Sequence, residues 1–421
     1  MPIFPRWADQ WLLGRISKAV EPESVRIVLG TGEATLPAES PVATLVIPDR
    51  KTLLRLMFDP EVAFGDAYAD GTIQVQGSLV KLLAAIYRGT SSKQSCVPMY
   101  SRLVSKRTDW LQANSLPGSR RNIHAHYDLG NDFYKLWLDR QLAYTCAYFP
   151  SPTATLEQAQ TAKLEHICRK LRLQPGETVV EAGCGWGALA LHMARQYGVS
   201  VKAFNVSHEQ IAFARQRAEE EGLSQQVQFI EDDYRNISGK FDAFVSVGML
   251  EHVGVENYNA LADVIQRSIG DSGRGLLHFI GKNQPGPYSR WMRKRIFPGA
   301  YIPALRQALE IFERWNYSVL DIENLRLHYA KTLEHWLDRF EKSQQQVASM
   351  YDAEFLRAWR LYLAGSLAAF RSGSLQLFQI VFSGSRCPPM WWTRAPLYSE
   401  ERFAIEKPDA IEKPEWMHAT S

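Results

Sequence analysis

The chain has 421 residues, 46% of them hydrophobic, and a formal net charge of +3. That length suits two or three domains with ample apolar material for their cores, and the near-balanced charge leaves no electrostatic footprint for a nucleic acid. Five cysteines with no C-x-x-C pair fit a reducing cytoplasm and argue against a structural zinc, so no metal is expected. Charges at Arg6 and Asp9 do not fit a secretory signal, and no uncharged stretch approaches the roughly 18 residues of a membrane-spanning helix, so any membrane contact is expected to be peripheral.

Taken in chain order, residues 1–105 form a first unit. It has strand patterns at 25–29 (VRIVL) and 43–47 (ATLVI), an acidic, aromatic segment from Asp59 to Gly71, and a helical pattern at 80–87. Residues 106–123 are basic and interrupted by Pro117-Gly118, as a linker would be. A large domain follows at 124–397, then a polar tail at 398–421 in which AIEKP occurs twice. Two copies are too few for a repeat architecture. Within the large domain strands are predicted at 178–183, 200–205, 227–231, 241–247, 275–280, 317–322 and 375–382. Helices are predicted at 187–197, 207–222 and 256–268. Strands alternating with helices specify an α/β fold, a parallel sheet covered on both faces. Its ligands lie beyond the carboxyl ends of the strands.

The residues after each strand therefore carry the functional reading. Thr178–Val180 runs into Glu181-Ala-Gly183-Cys-Gly185-Trp-Gly187 and then a helix. Glycines let a ligand approach the backbone and bring helix-start N–H groups beside it. The spacing is G-x-G-x-G rather than G-x-G-x-x-G, with an acid two residues ahead. It suits an amino-acid headgroup better than a pyrophosphate, and it resembles motif I of the S-adenosylmethionine-dependent methyltransferases. After the second strand come Asn205, Ser207 and Gln210, which read either as ribose contacts or as a helix cap at capping-box spacing. After the third, Asp233 reads as an acceptor for an adenine N–H or as a solvated loop acid. After the fourth, Glu251 lies between an apolar strand and a helix. Burying it unpaired costs several kcal/mol, so it is a cap or a site residue. His278, inside the fifth apolar run, reads as a core histidine or a catalyst.

Longer motifs carry a more specific resemblance. HYDLGNDFYKLWLD (126–139), YTCAYFP (144–150), VEAGCGWG (180–187), MLEHVG (249–254), LLHFIG (276–281), FPGAYIPALRQ (297–307), HYAKTLEHW (328–336) and LYLAGSLAAFRSGSLQLFQIVFS (361–383) resemble the cyclopropane-fatty-acyl-phospholipid synthases and the related mycolic acid synthases. The resemblance covers 124–383 and extends more weakly into 59–71. It implies a Rossmann-like class I methyltransferase with a mostly parallel seven-stranded sheet, plus a smaller N-terminal α+β domain. It implies that Tyr144, Thr145, Gly183, Gly185, Asn205, Gln210, Asp233 and Tyr234 hold S-adenosyl-L-methionine. Cys146, Glu251, His278, Ile280 and Tyr329 would enclose a bicarbonate ion. Phe279 stands where a small polar residue is common, and Thr145 replaces a serine while keeping the hydroxyl.

The implied reaction transfers a methylene group to the cis double bond of an unsaturated phospholipid acyl chain. Such an alkene is a weak nucleophile, so positioning and water exclusion carry the catalysis, and aromatic faces such as Tyr329 stabilise a carbocation by about 1–2 kcal/mol each. The implied partner is a phospholipid bilayer at the inner face of the membrane, with a possible homodimer. Arg290–Phe297, cations interleaved with aromatics, reads as a docking segment for an anionic surface or as a solvated basic helix, and the resemblance makes the N-terminal unit 1–105 a second candidate for lipid docking. Two alternatives stay open: a methyltransferase that makes methyl-branched chains or acts on another acceptor, and a lipid-binding partner subunit without turnover.

Overall fold

In the computed structural model the described residues are 10–14, 25–30, 34–35, 41–91, 129–286, 288–388 and 390–398. The expected linker and all but the first residue of the expected tail lie outside them. Residues Met1–Cys387 form one compact unit and Pro388–Ser421 a second, in which Ala395–Tyr398 is helical.

The N-terminal region builds a four-stranded sheet in the order β2-β1-β3-β4 from β1 (Val25–Leu29), β2 (Ala34–Thr35), β3 (Ala43–Ile47) and β4 (Gln74–Gly77). In β1 and β3 every second residue is buried, the signature of a sheet with one covered face. That face packs on α1 (Arg50–Phe58), α2 (Pro60–Ala69) and α3 (Leu79–Ser91) through Ile27, Leu45, Ile47, Leu53, Ala63 and Leu82. The acidic segment flagged in the sequence is α2 itself. Asp59 caps it and Pro60 opens its first turn, where a missing N–H costs nothing.

The second sheet has seven strands: β5 (Thr178–Ala182), β6 (Ser200–Asn205), β7 (Val227–Glu231), β8 (Ala243–Val247), β9 (Arg274–Gly281), β10 (Ser318–Asn324) and β11 (Gln376–Ser383). Their spatial order is β10-β11-β9-β8-β5-β6-β7. The strands β5 to β9 pair in parallel, and β11 inserts antiparallel between β9 and β10. Each predicted strand is present within two residues of its predicted ends. Helices of this region that bear on the site are α4 (Asn131–Lys135), α5 (Leu156–Leu171), α6 (Ala188–Tyr197), α7 (His208–Glu220), α8 (Leu250–Val253), α9 (Tyr258–Ile269), α10 (Arg290–Arg295), α11 (Leu305–Glu313), α12 (Arg326–Lys342), α13 (Gln344–Met350) and α14 (Ala353–Ser372).

The two sheets are joined by helix packing. The long helix α14 lies against α12 on one side and against α2 and α3 on the other. Arg357 of α14 donates to the carbonyl of Ala69 at 2.7 Å. The ring of Trp291 sits so close to Gly65 that a Cβ there would fall 2.2 Å from Trp291 Cδ1. This contact also occupies three of the four cations of α10. Lys294 pairs with Asp66 at 2.6 Å, Arg295 with Asp66 at 3.1 Å and with Glu354 at 3.2 Å, and Arg290 with Asp59 at 3.1 Å.

Candidate active site

The glycine turn after β5 has Gly183, Gly185 and Gly187 all at positive φ, between +53° and +84°. Only glycine adopts such angles without strain. Three of the turn's amides are spent on the fold: Gly183 N and Cys184 N both donate to the carbonyl of Phe204 on β6, and Gly187 N donates to the carbonyl of Cys184. Gly187 is packed: a Cβ there would fall 2.6 Å from Phe229 Cζ. Gly185 is open, with nothing within 4 Å of a Cβ. The turn therefore presents its free backbone at Gly185 to a cleft with about 780 Å³ of empty space, solvent mouth included.

Six of the eight residues expected to hold the cofactor line this cleft: Tyr144, Thr145, Gly183, Gly185, Asn205 and Gln210. Ser207 caps α7 through the Gln210 amide, as the capping spacing suggests. The Gln210 side chain is free of that role, and its Oε1 accepts from Asn205 Nδ2 at 2.7 Å. Asp233 and Tyr234 are not among the lining residues. Asp233 caps a short 3-10 turn, and both its oxygens are held by the Arg235 guanidinium at 2.7 and 2.8 Å.

Around the ends of β8 and β9 the five residues expected to enclose an ion are linked through the backbone. Glu251 lies in the first turn of α8 but does not cap it. Its Oε1 accepts from Ile280 N at 2.6 Å, while Oε2 is buried without a hydrogen-bond partner. Burial pushes the Glu251 carboxyl up to about 7. His278, two residues before Ile280 on β9, takes a contact of 3.0 Å at Nδ1 from Gln379 on β11, and its Nε2 is buried without a partner. Burial holds this imidazole far below its ordinary range, so it stays neutral. Ile280 pairs in register with Leu377, Leu325 N donates to Leu377 O, and Leu325 O receives both Tyr329 N at 3.1 Å and the Cys146 thiol at 4.0 Å. Burial pushes the Cys146 thiol up, so it serves as a donor and not as a thiolate.

The walls nearby are aromatic. The Tyr329 ring packs on Phe370 and edge-on against Trp336, at centroid distances of 4.5 and 5.9 Å. The Tyr144 ring meets Trp137, Trp336 and Tyr134 at 5.2 to 5.5 Å, and its hydroxyl bonds Tyr362 at 2.6 Å.

Three residues that the sequence reading passed over belong to the same region. Gln379 is wholly buried and pairs with His278. A glutamine inside the apolar run LQLFQIVF carries a signal, because a strand buried on both faces must give it a partner. Lys163 and Gln160 of α5 lie beneath Thr145 and Ala143, and Lys163 lines the cleft. Lysines are almost always exposed, so nothing in the helix sequence marks this one.

A parallel sheet with a glycine turn beneath an open cleft at its carboxyl ends is the architecture of a class I S-adenosylmethionine-dependent methyltransferase. Residues 115–380 match the family model of mycolic acid cyclopropane synthetase. A probable fatty acid methyltransferase of Pseudomonas putida is 34% identical over 390 residues, covering 89% of this chain and 96% of the relative. The cyclopropane-fatty-acyl-phospholipid synthase of Escherichia coli K12 is 41% identical over 282 residues, 67% of this chain and 70% of the relative. Among solved structures, the mycolic acid cyclopropane synthase CmaA1 complexed with SAH and CTAB superposes with a TM-score of 0.60 at 30% identity, over 62% of this chain and 97% of that one. The chain belongs to the mycolic acid cyclopropane synthetase family and is an S-adenosylmethionine-dependent methyltransferase.

Proposed function

We propose that this enzyme transfers a methylene group from S-adenosylmethionine to the cis double bond of an unsaturated phospholipid acyl chain, leaving a cyclopropane ring, with bicarbonate held at the ends of β8 and β9. The observation that carries the reading is that Glu251 Oε2 and His278 Nε2 are each buried without a hydrogen-bond partner, on segments that the Glu251–Ile280 bond joins at the end of β9. Buried polar atoms are rarely left without a partner, so one acceptor and one donor so placed fit an ion that both donates and accepts. Glu251 would accept the ion's own proton, and His278, the Tyr329 hydroxyl and Cys146, through its backbone or by turning its thiol from the carbonyls of Ala147 and Leu325, would donate to its oxygens. Bicarbonate, when bound there, supplies a weak base.

The chain's own residues do the rest. The alkene π electrons form a bond to the sulfonium methyl carbon as the C–S pair returns to sulfur, so the cleft must hold that carbon against the acyl chain and exclude water. The positive charge left on the acyl chain is stabilised by the faces of Tyr329 and Trp336, at about 1–2 kcal/mol each where water is absent. Loss of a proton from the new methyl group lets its C–H pair close the ring. Such a proton beside a cation needs only a weak base.

A bilayer substrate requires a docking face. With Arg290, Lys294 and Arg295 of α10 engaged by Asp59, Asp66 and Glu354, the outer face of α1 supports docking better. Lys51, Leu54, Arg55 and Phe58 are exposed there, Phe58 at 79%, with no salt bridge to Lys51 or Arg55 among the described residues. Cations around an exposed aromatic suit an anionic lipid surface at the inner face of the membrane. No described helix is long and apolar enough to cross a membrane.

Mass spectrometry of lipids from a host expressing the chain tests the reading. The expected product gains one CH2 and loses its alkene with no added reductant. A methyl-branched product would shift the assignment to the second chemistry considered above.

A further inference from the structure

The cofactor's amino-acid end is a zwitterion, and the cleft contains one buried charge of each sign. Glu181 is 2% exposed and lines the cleft, and its Oε2 has no hydrogen-bond partner. Lys163 is 3% exposed and lines the same cleft. No acid lies within salt-bridge distance of Lys163 among the described residues. A lysine this deeply buried is rare unless paired. The nearest acid on its own side, Asp139, is already engaged by the amides of Gln141 and Ala143.

The one hydrogen bond of the Lys163 ammonium among the described residues has a direction. Its Nζ lies 2.9 Å from Thr145 Oγ1. An ammonium only donates, so the Thr145 hydroxyl accepts from it and must aim its own single proton elsewhere. The Thr145 carbonyl is taken by Gln160 Nε2 at 2.9 Å, one turn earlier on α5, which also holds the Ala143 carbonyl at 3.0 Å. Gln160 and Lys163 thus fix the backbone and the hydroxyl of the same residue, and that residue lines the cleft.

We propose that Lys163 positions the carboxylate of the S-adenosylmethionine headgroup, through its charge and through the Thr145 hydroxyl that it orients, opposite Glu181, which takes the ammonium. The proposal rests on the cleft's holding that cofactor, and it assigns the carboxylate end to a residue of α5 rather than to the glycine turn. An anion arriving at Thr145 completes the desolvated cation. Burial pushes Lys163 down to about 8 and Glu181 up to about 8, and the charge of each only partly offsets the shift of the other. The consequence is specificity: the site selects a ligand that carries a carboxylate as well as the adenosine and sulfonium.

Calorimetry with two ligands tests this, S-adenosylmethionine and its decarboxylated analogue, which keeps the adenosine, sulfonium and ammonium. The wild type is expected to prefer the intact cofactor by about tenfold or more. Lys163→Met should lose most of that preference by weakening the intact cofactor alone, leaving the decarboxylated analogue within about twofold of its wild-type affinity. Thr145→Val should do the same, and it stands in if Lys163→Met does not fold. Glu181→Gln should weaken both ligands alike, because both keep the ammonium. Equal weakening of both ligands by Lys163→Met and by Thr145→Val would reduce Lys163 to a structural support, and an undiminished preference would place the carboxylate elsewhere; either result overturns the proposal. A wild type that binds neither ligand would instead remove the cofactor assignment on which it rests.

Discussion

The two halves of the site are built in opposite ways. The cofactor half is made mainly of contiguous strand–turn–helix units: β5 into the glycine turn and α6, β6 into Asn205 and α7. The half proposed to hold the ion is assembled from segments far apart in sequence, with Cys146, Glu251, Ile280, Tyr329 and Gln379 meeting through single hydrogen bonds of side chains and backbone between β9, β11 and the start of α12. Local geometry shapes the first half, and tertiary packing shapes the second. The first should tolerate the loss of a hydrogen bond, and the second should not.

The largest expected effect lies in the ion half. Glu251→Ala should lower turnover by about a hundredfold or more, since a preorganised partner at the reacting centre is lost, while S-adenosylmethionine binds within about threefold of wild type. Steady-state kinetics set beside calorimetry read both values. Stripping bicarbonate should slow the wild type and affect Glu251→Ala less. Turnover that ignores bicarbonate would make Glu251 itself the base, and a silent Glu251→Gln would leave it a structural residue. The carboxyl is raised to about 7, so its anion is lost on acidification earlier than an ordinary glutamate's. Turnover that needs the anion should fall as pH drops through about 7, and the fall should be absent in Glu251→Gln.

Next come two glycines of one turn. Gly185→Val places its side chain in the open cleft at φ +53° and should abolish cofactor binding in a protein that still folds. The left-handed angle costs about 1–2 kcal/mol, which appears as a modestly lower Tm. Gly187→Val meets Phe229 and should cost about 3 kcal/mol or more in stability. If both variants melt alike and both bind, the division of labour within the turn is wrong.

The smallest effect concerns the surface. Reversing Lys51 and Arg55 to Glu together with Phe58→Ser should weaken binding to anionic vesicles by about tenfold at low salt and by less at high salt. Reversing Arg293 and Arg295 should instead loosen the contact with α2, where Arg295 pairs with Asp66. Vesicle co-sedimentation that follows the second pair and not the first returns docking to α10.

What could be read from the sequence follows the same division. The strands and the glycine turn were legible because each is set by local periodicity and by φ angles that only glycine adopts freely. The family motifs brought Cys146, Glu251, His278, Ile280 and Tyr329 into view, but not how they are joined, since a bond from Leu325 to Leu377 has no local signature. Lys163 was invisible because no element was predicted over 156–171, and a lysine among polar residues gives no sign that it faces inward. The basic segment at 290–297 read as a docking segment or as a solvated helix, and neither reading showed its partners Asp59 and Asp66, which lie more than two hundred residues earlier. Charge runs are legible in sequence, whereas their counter-ions are a property of the fold.

The position of β11 has a consequence for how the enzyme comes into being. This strand is the last of the described strands to be synthesised, yet it sits inside the sheet, between β9 and β10, and it brings Gln379 to His278. A nascent chain that has released β5 to β10 already holds the complete cofactor turn but leaves the edge of β9 bare. A chain that had folded β5 to β10 would hold the cofactor turn before the proposed ion site, which waits for β11, the last of the described strands.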